Sequence, residues 1–178
     1  MSEKLQQVAT EIERGTAKLG WDQPPALYAL VITEKLLSEP NLPEDIAQQI
    51  RAEWDESSDH LSGILQELLQ EDDIEDVLPR IAWPETVEGA ALTVERLIVP
   101  PEIEAEAPEN PDEAAAFIAA HPSTMDVRIT VAALRSGDTW SLIRTKAFDT
   151  DDMVATGENL VPQLSELLSA SLSPDQPA

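Results

Sequence analysis

Apolar residues recur at three- and four-residue steps over residues 3–19, where Leu5, Val8, Ile12 and Leu19 share one stripe and Glu3, Glu11, Glu13 and Lys18 fall elsewhere. That spacing predicts an amphipathic helix, because successive turns then present the same side. Gly20 supplies its stop. Trp21-Asp22-Gln23-Pro24-Pro25 reads as a rigid turn, since two prolines fix φ and withhold two backbone donors. Residues 26–32 follow as a short buried segment, strand or helix start, between which periodicity does not decide. Residues 33–38 read as helical, the stretch 39–43 breaks that helix at Pro40 and Pro43, and residues 44–54 form a polar helical segment. Leu61, Ile64, Leu65, Leu68 and Leu69 predict another amphipathic helix over 59–70. Ile74, Val77, Leu78 and Ile81 continue a helical pattern past the acidic run 71–76, with Pro79 bending or interrupting it.

After Trp83-Pro84 the rhythm changes. Leu92, Val94 and Arg96 alternate with Thr93, Glu95 and Leu97 on the way to Val99, a strand pattern closed by Pro100-Pro101. Residues 102–111 form a glutamate- and proline-rich loop, and Asp112 reads as the N-cap of a helix running to Ala120, ended by His121-Pro122. Val127, Ile129, Val131 and Ala133 alternate with Arg128, Thr130 and Ala132. After Ser136-Gly137-Asp138 a second strand runs over 139–147, so the two make a hairpin. Leu160, Val161, Leu164, Leu167 and Leu168 predict a closing helix within 158–172. This order implies an α+β fold, an antiparallel sheet with helices packed on one face. Residues 1–172 read as a single α+β domain and 173–178 as a frayed C-terminal tail.

The charge narrows the partners. Thirty-five acidic against eleven basic residues give a formal net charge of −24, a field that repels phosphate backbones and anionic membranes. Neither nucleic acid nor membrane is therefore an expected partner, and the expected location is the cytoplasm, since no signal peptide or spanning segment is visible. The absence of cysteine excludes disulfides, thiol nucleophiles and thiolate metal sites.

The chemistry-bearing residues do not assemble into a catalytic motif. Six glycines stand singly, so neither a phosphate-cradling loop nor a dinucleotide fingerprint can be built. His60 and His121 have no second histidine at ligand spacing. Ser57, Ser58, Asp59 and His60 carry the residue types of a hydrolytic triad, but neighbours in one segment point in different directions. Asp149, Asp151, Asp152 and Glu158 suggest a calcium loop, yet Met153 and Val154 stand where a ligand and the required glycine belong. No catalytic residue, metal or cofactor is expected.

Two rigid apolar turns stand out, Trp21 to Pro25 and Trp83-Pro84, in a chain with few aromatics. Tryptophan and proline offer large contact area with little entropy to lose, so the turns either dock a protein or plug the ends of the helical layer. Arg96, Arg128, Arg135, Arg144 and Lys146 concentrate in the predicted strands, as an anion-binding face or as a lattice neutralising nearby glutamates. The string Gly20-Trp21-Asp22-Gln23-Pro24-Pro25-Ala26-Leu27-Tyr28-Ala29-Leu30-Val31, with Ile81-Ala82-Trp83-Pro84 and Val94-Glu95-Arg96 downstream, resembles a family of conserved hypothetical proteins from actinobacteria over most of the chain. The resemblance implies a bacterial cytosolic protein, singles out the same turns and transfers no catalytic residue.

The function read from these residues is a non-catalytic protein-binding module, adaptor- or chaperone-like, docking another protein through Trp21, Pro24, Pro25, Trp83 and Pro84. The alternative is a small-molecule binder or hydrolase with an arginine-lined pocket, built from Asp22, Arg96 and Arg144.

Overall fold

A computed structural model describes residues 2–70 and 74–172. Glu71, Asp72 and Asp73 of the acidic run, and the tail 173–178, lie outside the described residues. The chain opens with helix α1 (Ser2–Ala17), strand β1 (Ala26–Ile32), α2 (Thr33–Leu37), α3 (Glu44–Glu53) and β2 (Leu61–Leu68). There follow α4 (Ile74–Val77) with a 3-10 turn at Leu78–Arg80, β3 (Val87–Ile98), α5 (Pro101–Glu104) and α6 (Pro111–Ala120). The hairpin β4 (Met125–Leu134) and β5 (Thr139–Thr145), two 3-10 turns, β6 (Ala155–Gly157) and α7 (Pro162–Ser171) complete it. No helix among the described residues is long and apolar enough to cross a membrane.

All strands join one antiparallel sheet in the order β2-β1-β3-β4-β5-β6. Residues 26–32, left open between strand and helix, are thus a strand paired on both sides. The α+β class with an antiparallel sheet stands, but helices cover both faces rather than one. Alternation along the central strands explains this, since both sides of β3 and β4 are apolar. On one face Leu27, Leu92 and Val131 lie in register and pack with Leu164 and Leu168 of α7 and with Ile74 and Leu78. On the other, the row Tyr28, Ala91, Ala132 and Trp140 crosses four strands, and α1 lies over its small central residues with Leu5, Val8, Ala9 and Ile12 buried. Leu19, read into the same stripe, falls beyond the helix end and is 69% exposed.

The expected helix over 59–70 is instead the edge strand β2. It pairs with β1 from Leu61↔Ile32 to Leu68↔Ala26, and Gln66 is an extra residue between Leu65↔Tyr28 and Glu67↔Leu27. That bulge shifts the side-chain phase in mid-strand, so the apolar residues never alternate cleanly. The helix expected to be capped by Asp112 begins two residues earlier, capped by Asn110. Asn110 Oδ1 accepts from the Asp112 and Glu113 amides at 2.9 and 3.2 Å, and Pro111 takes the first helical position, where its missing N–H costs nothing. β6, three residues long, has no signature in the pattern.

Gly89 marks a second irregularity. Its strand carries an extra residue, Glu88, between Gly89↔Leu30 and Val87↔Val31, and a Cβ at Gly89 would collide with the Ala133 carbonyl. Gly89→Ala is therefore expected to destabilise the fold by about 1–3 kcal/mol despite the smallness of the change. Urea unfolding checks this.

Candidate functional site

One end of the sheet carries a buried row of charges on the α1 face. Glu95, Arg128 and Arg144 stand directly opposite one another across β3, β4 and β5. Two arginines in register would repel each other; carboxylates on both flanks prevent that. Arg128, 1% exposed, donates to Glu95 Oε2 at 3.2 Å and to the Gly20 carbonyl. Arg144 donates through Nε and Nη2 to the two oxygens of Glu13, which α1 inserts at 1% exposure. It also reaches Asp149 Oδ1 at 3.1 Å and Asp151 Oδ1 at 2.6 Å. Glu13 first, then Asp151 and Asp149, push the guanidinium up, so it stays charged. In return Arg144 holds the Asp151 carboxyl below its usual range, while Asp149 is lowered first by the Trp21 N–H and then by Arg144.

The row fixes the turn that follows α1. Gly20 (φ 87°) ends the helix, and Asp22 adopts φ 66°, a left-handed conformation that aims two successive amides the same way. The Asp22 and Gln23 N–H groups both donate to the Glu95 carboxylate, at 2.9 and 2.8 Å. Trp21 is thereby laid over Arg128, whose guanidinium carbon is 4.6 Å from the indole centroid, and its Nε1 donates to Asp149 Oδ2 at 3.0 Å. A half-buried indole carries both a cation–π contact and a charged hydrogen bond, so its orientation is set on two sides.

Beside this indole lies an open groove of about 440 Å³, lined by Trp21, Asp22, Glu95, Leu97, Asp126 and Lys146, with Ala115 and Ile118 of α6 on the far wall. Arg96 and Val127 also contribute to its wall. Leu97, 46% exposed, lines the groove; Ile98 and Met125, 38% and 40% exposed, are direct cross-strand partners at the same strand end, turned by strand alternation to the opposite face of the sheet. Exposed apolar residues thus gather at the strand end that carries the oriented tryptophan.

The residues singled out in the sequence divide between two places. Trp21, Asp22 and Arg96 meet at the groove; Pro24 is exposed beside it and Pro25 is buried, its carbonyl accepting from Leu69 N at 2.7 Å. Trp83 and Pro84 are at the other end of β3. Arg135 clamps that turn by donating to the carbonyls of Trp83 (3.1 Å), Pro84 (3.0 Å), Val87 (2.7 Å) and Leu172 (3.0 Å). From Val87 to Glu95, at an extended rise per residue, the separation is roughly 26 Å. The two Trp-Pro turns are not one patch. Trp83 packs against the α7 cluster and donates from Nε1 to Ser171 Oγ at 3.1 Å, so it plugs that end of the core. Trp83→Ala is expected to lower stability by about 2 kcal/mol, a partial-burial fraction of a core Trp deletion. Chemical denaturation measures it.

Arg144 does not join Asp22 and Arg96. It is enclosed by three carboxylates, and strand alternation sends Arg96, paired with Val127, to the face opposite Glu95 and Arg144. Of the two readings of the basic residues, Arg128 and Arg144 follow the neutralising lattice. The sequence offered no signal for Glu13 as the buried partner, because its position on the helix is one step off the apolar stripe. Asp149 and Asp151, read against a calcium loop, are the acceptors of Arg144. Among the described residues no group of three His, Cys, Asp or Glu is placed to hold a metal ion. Ser57, Asp59 and His60 do not converge either: His60 Nδ1 meets Thr33 Oγ1 at 2.6 Å, and Asp59 faces Lys4 at 3.9 Å.

A six-stranded antiparallel sheet held between helices, with a charge-anchored tryptophan at the rim of an open groove, defines a small α+β protein. A comparison with protein families matches residues 5–173 to the PPA1309-like protein family, and the chain belongs to it. The family takes its description from a Propionibacterium acnes protein, in keeping with a resemblance to an actinobacterial family. No curated protein and no solved structure matches the chain.

Proposed function

We propose that this chain is a non-catalytic protein-binding module of the cytoplasm, adaptor- or chaperone-like, that docks a partner through the Trp21 groove alone. The observation that carries the reading is the coincidence of three things at one strand end: the oriented indole, the 440 Å³ groove and the exposed Leu97 on its wall. Asp22, Glu95 and Asp126 on the groove wall, in a chain of net charge −24, favour a partner segment that is apolar and basic. Trp83 and Pro84, with the tryptophan committed to the core, drop out of the docking surface.

Affinity capture from the native cytosol tests this, using Leu97→Asp as the control because an exposed strand-end residue tolerates a charge without unfolding. A stoichiometric protein retained by the wild type, lost with Leu97→Asp, and rebinding when purified supports the module. The second reading, a small-molecule binder at the same groove, is favoured by Lys146 beside the indole, which suits a carboxylate or phosphate group. Capture unchanged by Leu97→Asp, with a bound metabolite displaced by Lys146→Met, supports that reading instead.

A further inference from the structure

On the α1 face, away from the Trp21 groove, a second cavity of about 280 Å³ opens between α1, α3 and the β1–β2 edge of the sheet. We propose that this cavity binds a small amphipathic amine, a primary ammonium carried on a short apolar body. Its walls are apolar along Val8, Ile12, Tyr28, Ile50 and Ile64 and carry the carboxylates of Glu11 and Glu53, with no lysine or arginine lining it. A cavity of this size and composition admits a short chain, and its only charged walls are negative.

His60 supplies the second, independent feature. The ring is 2% exposed and lies in the cavity wall. Its Nδ1 is 2.6 Å from Thr33 Oγ1, which is 2.7 Å from Ser62 Oγ, whereas Nε2 meets no donor or acceptor among the described residues. In the tautomer in which Nδ1–H donates to Thr33 Oγ1 and the Thr33 hydroxyl donates to Ser62 Oγ, Nε2 is left as an acceptor. A buried polar atom without a partner is costly and uncommon, and an ammonium N–H is the donor it lacks. The carboxylates call for the same chemistry. Burial, and then the neighbouring Glu53, push the Glu11 carboxyl up, and a cation seated between the two acids relieves that repulsion. The negative field of the whole chain concentrates cations at its surface.

Gly15 provides a clean test, because a Cβ built there meets nothing within 4 Å although the residue lines the cavity. Gly15→Leu should extend into the space without collision and, within a helix, without loss of fold. Hexylamine, 1-hexanol and hexanoate are titrated into the full chain by calorimetry and by amide NMR. The expected result is saturable hexylamine binding with shifts at residues 8–16 and 60–64, hexanol about tenfold weaker and hexanoate undetectable. Gly15→Leu should abolish the binding. Should that variant fail to fold, the double variant Glu11→Gln/Glu53→Gln decides, and its preference for amine over alcohol should vanish. Absence of saturable hexylamine binding at millimolar concentration, equal affinity for amine and alcohol, or a preference that survives the double variant would overturn the assignment.

Discussion

Replacing Arg144 with alanine is expected to cost about 3–5 kcal/mol of folding stability, the largest loss foreseen for any single polar residue of this chain. The reason lies in what remains behind. Glu13 is 1% exposed and takes both oxygens' hydrogen bonds from Arg144, so the variant would bury a carboxylate with no counter-charge. The double variant Glu13→Leu/Arg144→Met should recover most of the loss, because a buried ion pair replaced by apolar side chains of similar volume is often close to neutral. Urea midpoints at neutral pH separate the two outcomes. The network also sets an acid limit. Asp149 and Asp151 have folded-state values below their ordinary range, so their contribution is present above the unfolded carboxyl value near pH 4 and is lost as pH falls through the folded values. The stability gap between wild type and Asp149→Asn should accordingly be present at neutral pH and close as the pH drops below about 4.

Trp21→Ala is expected to weaken partner binding at the groove by roughly 2–4 kcal/mol, about 30- to 1000-fold, the range of a central aromatic anchor. Its indole is held over Arg128 and tied to Asp149 before any partner arrives, so little ordering cost is left for the bound state. Trp21→Phe keeps a ring over Arg128 but loses the donor to Asp149, and should fall between wild type and Trp21→Ala. Binding measured against the purified partner gives the ranking.

Sequence patterning read the molecule well where local and tertiary demands agree. The β4–β5 hairpin announces itself because Val127, Ile129, Val131 and Ala133 all face one apolar layer and Ser136-Gly137-Asp138 can only turn; Gly137 sits at φ 103°. The edge strand β2 was misread for a physical reason. Leu61, Ile64, Leu65 and Leu68 fall at helical spacing because the bulge at Gln66 changes phase and because Leu65 and Leu68 are exposed, free of any alternation rule. The second helical layer was hidden for a different reason. Ala90, Leu92 and Val94 face one cluster and Ala91 the other, so the small residue that lets α1 approach gives little hydrophobic signal.

The site was half legible. Trp21, Asp22 and Arg96 were marked by an unusual turn and by strand position, and the structure brings them to one groove. Arg128 was marked as one of the basic strand residues without its partners, and Glu13 was not marked at all, since pairing across the sheet and between a helix and a strand depends on register. Trp83 looks the same as Trp21 in the sequence, and only the Ser171 hydrogen bond and its packing against α7 show that it belongs to the core.

The central claim is that the Trp21 end of the sheet, and not the Trp83 end, is the docking surface. Quantitative capture from native cytosol with wild type, Trp21→Ala and Trp83→Ala, each first shown to be folded, tests it most directly. The account predicts one stoichiometric protein bound by wild type and Trp83→Ala and lost with Trp21→Ala; equal loss with both variants, or retention by Trp21→Ala, would contradict it.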